Sequence, residues 1–228
     1  MYTLHIANKN YSSWSLRPWV LMKTLGIPFE EVLQPFDESG SYSKFRQFSP
    51  TGLVPLLRDG DTVVWDSLAI VEYLAEHHPG VWPADPVARA FARSASAEMH
   101  SGFSALRSTC SMNCGIRVRL NDIPPRLEKD LDRLDELWGE GLARFGGPFL
   151  AGPNFGAVDA FYAPVAFRVQ TYAVPLNSAS TAYVNRLLQL PAMQDWYAAA
   201  LRETWREPAH EAEMREVGEW TADFRATA

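Results

Sequence analysis

The first eighty residues change their hydrophobic period several times. Residues 2–6 alternate around Leu4 and Ile6, the pattern of a short strand, and a polar loop runs from Asn8 to Ser15. Leu16, Trp19, Val20 and the run 22–25 then recur at helical spacing, with Ser15 as the expected cap and Gly26 where a helix would stop. Pro18 would take the third helical position, where a missing N–H costs nothing because first-turn donors have no partner within the helix. Residues 29–33 give a second strand, so the opening predicts β-α-β with parallel strands and a right-handed crossover. A weakly patterned segment at 42–48 and a turn from Ser49 to Gly52 lead to an apolar run at 53–57. Pro55 within it cannot donate to a ladder, which predicts an edge or a strand start. Arg58-Asp59-Gly60-Asp61 between that run and residues 62–65 is a hairpin signal. Leu68, Ile70, Val71 and Leu74 predict a helix over 67–77, capped by Asp66 or Ser67.

This order, βαβαββα, fills a domain spanning residues 1–78. Residues 79–86 contain Pro79, Gly80, Pro83 and Pro86 and read as a linker. Residues 87–228 carry helical patterns over 88 to about 107, 126–145, 157 to about 169, 181–190 and 193–204, with no convincing alternation. Leu127, Leu131, Leu134, Leu137 and Trp138 make an apolar stripe opposite Glu128, Lys129, Asp130 and Arg133. The expectation is an α/β domain followed by an all-helical one, ending from Glu211 in a polar tail or loose helix.

Composition narrows the partners rather than the fold. With 47% hydrophobic and 21% charged residues the chain is an ordinary globular one, and a formal net charge of -6 argues against nucleic acid. No run approaches the roughly 18 apolar residues of a membrane span, and the N-terminus lacks the look of a signal peptide. A cytoplasmic protein without membrane or nucleic-acid partners is expected. Cys110 and Cys114 are not a CxxC pair and lack company for a metal site; the expectation is two thiols on one helix face and no metal.

Three segments could carry chemistry. Tyr11 to Trp19 joins a strand end to a helix start, where free amides favour an anion, and a hydroxyl bonded to a thiolate is worth about 1.5–3 kcal/mol. Asp66-Ser67 ends a strand and begins a helix, so the acid can take an ammonium and the hydroxyl and amides a carboxylate. Val54-Pro55 can leave the N–H and C=O of Val54 free to pair with a peptide-like ligand. Each has an ordinary reading as capping or turn chemistry.

Together the three resemble the glutathione transferase family, and within it the serine-type branch related to the zeta class of maleylacetoacetate isomerases. Ser12-Ser13-Trp14-Ser15-Leu16-Arg17 is similar to that branch's Ser-Ser-Cys-x-x-Arg signature, residues 49–56 resemble the loop before the family's cis-proline, and Asp66-Ser67 its acid-serine pair. The resemblance implies a thioredoxin-like N-terminal domain, a helical-bundle C-terminal domain, a homodimer, and glutathione as co-substrate against a small electrophile. It also implies roles. Ser12 would stabilise the thiolate, with Ser13 and Ser15 as alternatives for closest approach, and Val54 before Pro55 would pair with the cysteinyl backbone. Asp66 and Ser67 would read the γ-glutamyl end, Ser13 and Lys44 would add to the glutathione site, and Arg17 would brace the first helix. Trp14, His100, Arg107 and Asn113 would shape the electrophile pocket. Trp14 stands where the zeta signature has cysteine and would reshape that pocket. Gly156 and Asp159 fall where the family has a Ser/Thr-x-x-Asp capping box, and Asp159 can still reach a backbone amide. The alternatives are a glutathione-dependent isomerase of the maleylacetoacetate type and a binding module without turnover.

Overall fold

The computed structural model describes residues 1–36 and 40–226. Its first half runs β1 (Tyr2–Ile6), α1 (Ser13–Thr24), β2 (Phe29–Leu33), α2 (Tyr42–Phe45), β3 (Leu56–Asp59), β4 (Thr62–Trp65) and α3 (Ser67–His77). The strands form one sheet in the order β2-β1-β3-β4, with β1 and β2 parallel and the other neighbours antiparallel. Leu4 and Ile6 are fully buried, as the alternation requires. This is a thioredoxin-like domain. β3 is an inner strand, so Pro55 is not on an edge; it stands one residue ahead of the strand, after a cis Val54–Pro55 bond, and interrupts no ladder.

The start of α1 differs from the sequence expectation. Ser12, not Ser15, is the N-cap residue, because the Ser15 hydroxyl is used within the helix: it accepts the Ala7 N–H at 3.3 Å and ties α1 to the end of β1. Pro18 therefore lies inside the helix at its sixth residue, where its missing N–H leaves the Trp14 carbonyl without its usual partner.

The second half is helical, with α4 (Pro86–Ser101), α5 (Ser104–Thr109), α6 (Pro125–Phe145), α7 (Ala157–Tyr172), α8 (Ser178–Leu188), α9 (Pro191–Arg202) and α10 (Pro208–Val217). The helix expected to run to about residue 107 breaks at Gly102, where a Cβ would sit 2.8 Å from the Glu98 carbonyl, and at Phe103, whose φ of 54° is left-handed. A two-stranded antiparallel ribbon joins these helices, formed by β5 (Ile116–Leu120) and β6 (Gly218–Asp223). The expectation of no alternation after residue 87 thus fails at Ile116-Arg117-Val118-Arg119, where the apolar pair is buried and the arginines are not. Cys110 and Cys114 are not on a helix face: Cys110 closes α5 and Cys114 lies in the loop before β5. Both thiols are buried, and burial pushes Cys110 up to about 12 and Cys114 further, so neither is a nucleophile.

At α7, Asp159 makes the half of a capping box that Gly156 cannot reciprocate. Its carboxylate accepts the Gly156 N–H (3.0 Å), the Leu150 N–H (3.1 Å) and the Tyr183 hydroxyl (2.8 Å). One apolar core runs through both halves, from Leu4, Leu16 and Ile70 to Leu134, Trp138 and Trp196. α1 packs most extensively on α7, and Trp19 meets Trp196 edge-on at 5.0 Å, so the two halves share one packed interface. Among the described residues no helix is long and apolar enough to cross a membrane, and no cluster of three or more His, Cys, Asp or Glu could hold a metal.

Candidate active site

The loop between β1 and α1 is held from behind before it reaches its functional residues. Glu203, just past α9, accepts the backbone N–H groups of Lys9 (2.7 Å) and Asn10 (3.2 Å), and Asn10 Nδ2 donates to the Ala200 carbonyl at 2.6 Å. Tyr11 follows, its hydroxyl donating to Glu211 (2.8 Å) and accepting from Arg225 (3.0 Å). Burial, and then the bond to Glu211, raises Tyr11 far above an ordinary phenol, so it stays neutral and its hydroxyl is already committed. Ser12 is the first hydroxyl available. It is 5% exposed, sits at the head of α1, and donates to Ser15 Oγ at 2.7 Å.

Ser12, Ser13 and Val54 line a cleft of about 300 Å³ between the two halves. Its wall on the first half is completed by Tyr11, Trp14, Phe36, Phe45 and Leu53, and the opposite wall holds Met99, Arg107, Ser111, Met112, Arg168 and His210. Arg17 lines the floor. A second cavity of about 330 Å³ shares Trp14, Leu53 and Val54 and adds Pro55, Asp66 and Ser67. The two make one elongated groove, running from an acid-hydroxyl pair at one end to a cationic chamber at the other.

Trp14 divides the ends. The Arg17 guanidinium lies 4.0 Å from its ring centre, that of Arg107 4.8 Å, and His100 meets it edge-on at 5.2 Å. Arg17 is 2% exposed, contacts Ser67 Oγ through Nη1 (3.4 Å), and has a buried Nε without a partner among the described residues. Burial, then repulsion from Arg107 and Arg168, pushes it well below its ordinary value. Burial likewise lowers Arg168 to about 10. Arg168 donates to the carbonyls of Cys110 and Pro164, and Arg107 to those of Met99 and His100, so each is fixed by neutral acceptors rather than by a carboxylate.

At the other end, Asp66 adopts a φ of 73°, a conformation acidic side chains tolerate better than most, and accepts the Leu68 N–H at 2.8 Å. Its second oxygen lies 3.5 Å from His100 Nε2. Burial lowers the imidazole despite that carboxylate, so the pair is ionic only in acid.

Of the residues singled out in the sequence, Ser12, Ser13, Trp14, Val54, Pro55, Asp66, Ser67 and Arg107 line the groove. His100 stands behind Trp14 and Asp66. Like His100, Lys44 and Asn113 fall outside both linings. Lys44 Nζ donates to the Pro35 carbonyl at 2.9 Å, and Asn113 is fully buried, accepting the Gly115 N–H at 3.1 Å while its backbone carbonyl takes the Thr171 hydroxyl. Sequence reasoning missed Arg168, Ser111 and His210. Arg168 carried a signal, a charged residue directly after the uncharged, largely apolar stretch 160–167 of α7, but the other two carried none.

Two family models match the chain: "Glutathione S-transferase, N-terminal domain" over residues 11–77 and "Glutathione S-transferase, C-terminal domain" over residues 119–199. Together they take in well over half of the sequence. The chain belongs to the glutathione S-transferase family. It is 35% identical to a probable maleylacetoacetate isomerase of Caenorhabditis elegans over 98 residues, 42% of this chain and 45% of that protein. Over 203 residues it is 29% identical to glutathione S-transferase GstB of Escherichia coli K12, covering 83% of this chain and 88% of the relative. Its fold matches a glutathione transferase homolog from Burkholderia, crystallised with bound glutathione, at a TM-score of 0.65 and 24% identity over 87% of this chain and 97% of that one. The acid-hydroxyl pair at Asp66-Ser67 thus stands at one end of a groove in a transferase fold, and the serine at the head of α1 lines the chamber at the other.

Proposed function

We propose that this transferase binds glutathione along the groove, holds its thiolate on Ser12, and directs it at an electrophile that carries an acidic group. The observation behind the reading is the contrast across the cleft. Ser12 at a helix head faces a chamber lined by Arg17, Arg107 and Arg168, and among the described residues no Asp or Glu lines that chamber. Asp66 takes the γ-glutamyl ammonium, Ser67 and the first amides of α3 its carboxylate, and the backbone of Val54 the cysteinyl amide. The Ser12 proton turns from Ser15 to the sulfur, and the Ser15 hydroxyl can donate back in its place. A hydrogen bond to a charged acceptor is worth about 1.5–3 kcal/mol, or about one to two pKa units on the thiol. The thiolate then forms a carbon–sulfur bond while the displaced electron pair leaves with a leaving group or moves onto a conjugated oxygen.

Three guanidiniums with no ion-paired carboxylate among the described residues favour an anionic co-substrate over a neutral one, since an anion offsets their mutual repulsion. A homodimer belongs to this reading as well; sedimentation measures it. The direct test is a matched pair of electrophiles, a carboxylic acid and its methyl ester. The acid is expected to react at least about tenfold faster in kcat/KM, as one charge-assisted bond provides, and Arg168→Met to erase the preference. An ester turned over as well as the acid would remove the assignment of the chamber.

A further inference from the structure

A thiolate cannot form unless something takes the proton from sulfur, and Ser12 cannot. A serine hydroxyl donates a hydrogen bond to the anion but is not a base near neutrality. The other groups of the chamber are no better placed. Arginines arrive protonated, and the Tyr11 hydroxyl is already spent on Glu211 and Arg225. Among the described residues, the one remaining side chain in the lining that can accept a proton in the neutral range is His210, from the first turn of α10.

His210 is also prepared for the task. Glu207, the residue ahead of α10, accepts the backbone N–H of His210 at 2.6 Å and lies 2.7 Å from its Nδ1 with the same oxygen. An ionised carboxylate only accepts, so the ring proton belongs on Nδ1 and the lone pair on Nε2, for which no partner exists among the described residues. The ring stacks on Phe36 at 6.3 Å with 17° between planes, and tilts against Tyr11, the neighbour of Ser12, at 5.8 Å. A carboxylate that fixes the tautomer and supports the imidazolium is the arrangement a general base needs.

We infer that Glu207 and His210 are the proton acceptor of this cleft: as glutathione binds, His210 Nε2 takes the thiol proton, directly or through one water, while Ser12 keeps the sulfur anion. The S–H bond breaks, an N–H bond forms, and the charge becomes an imidazolium beside a thiolate. After the carbon–sulfur bond closes, the same proton goes to the leaving group or to the carbanion carbon, and the imidazole is neutral again. This inference rests on the reading of Ser12 given above.

Among the described residues, the charged and titratable groups around His210 are Glu207 just ahead of α10, Glu211 on it, Tyr11 from the loop ahead of α1, Arg225 beyond β6, and Arg107 and Arg168 of the same wall. Neutralising Glu207 removes the nearest anion, so the acidic limb of the activity profile moves to lower pH in Glu207→Gln.

The test counts protons. The full-length protein is mixed with reduced glutathione in weak buffer near neutrality, with a pH indicator for released protons and ultraviolet absorbance for thiolate. The wild-type chain is expected to release clearly less than one proton per thiolate formed, and His210→Ala about one, with kcat/KM down about a hundredfold. Imidazole in the buffer should restore much of the loss. Equal proton release in both proteins, or a His210→Ala rate that imidazole leaves unchanged together with an unshifted profile in Glu207→Gln, overturns the inference. Lack of a thiolate signal in the wild-type chain overturns the Ser12 reading itself, and this one with it.

Discussion

The two walls of the groove are made differently. The wall from the first half sets helix heads, backbone groups and small hydroxyls among the apolar side chains of Trp14, Phe36, Phe45 and Leu53, taken from short stretches between Tyr11 and Ser67. The facing wall carries Arg107, Arg168 and His210 from α5, α7 and α10 beside Met99, Ser111 and Met112, drawn from positions up to about a hundred residues apart. Backbone donors suit a ligand whose shape is constant, because their positions are set by the fold. Arginines on separate helices can be exchanged without disturbing the sheet, which suits a ligand that differs from one transferase to another. Under the function proposed above, glutathione belongs to the first wall and specificity to the second, and mutations should separate the two.

The largest effect should spare the distinction. Asp159 holds α7 behind both walls, so Asp159→Ala leaves two amides and a tyrosine hydroxyl unpaired and should cost about 4 kcal/mol in urea unfolding. Both substrates should lose activity together. Burial raises this carboxyl to about 6, so it binds its proton more tightly folded than unfolded. The stabilisation it gives is complete below about pH 4 and is lost as pH rises through about 6, a slope the alanine variant should lack.

Next, Ser12→Ala should lower kcat/KM about 10- to 100-fold for every electrophile, acid or ester, with glutathione affinity little changed. Kinetics with both members of the ester pair check this. Asp66→Asn keeps the left-handed turn and the Leu68 contact but loses the charge, and should raise KM for glutathione about tenfold while leaving KM for the electrophile alone. His100→Asn should be smallest, about threefold on glutathione affinity, visible in acid and absent at neutral pH, where the imidazole has lost its charge. Calorimetric titration at two pH values resolves it. A His100 effect on the electrophile instead would blur the two walls.

The first wall was legible because each of its functional residues lies within a few positions of a turn or a cap. The Asp59-Gly60 hairpin, the serine run before α1 and the acid-serine start of α3 are all local signals. What failed there was register: Ser15 looked like the cap, but its hydroxyl goes to the Ala7 amide, a contact eight residues back that spacing cannot reveal. The second wall was legible only as helices. Arg107 was visible because it lies near His100 on what read as one helix, whereas the break at Gly102 and Phe103 that turns it back onto the carbonyls of Met99 and His100 was not. His210 and Ser111 reach the cleft through the β5-β6 ribbon, which pairs strands about a hundred residues apart, and through α10, read as a loose end. Asn113 shows the converse: polar, close in sequence to the cleft, and sealed inside.

The claim under all of this is that the Ser12 hydroxyl bonds the glutathione sulfur. Ultraviolet titration of the bound thiol in the wild-type chain and in Ser12→Ala measures it directly. The account expects the wild-type thiol to titrate below free glutathione and the variant to lie about one to two pKa units higher than wild type. Identical titration curves in the two proteins would contradict it.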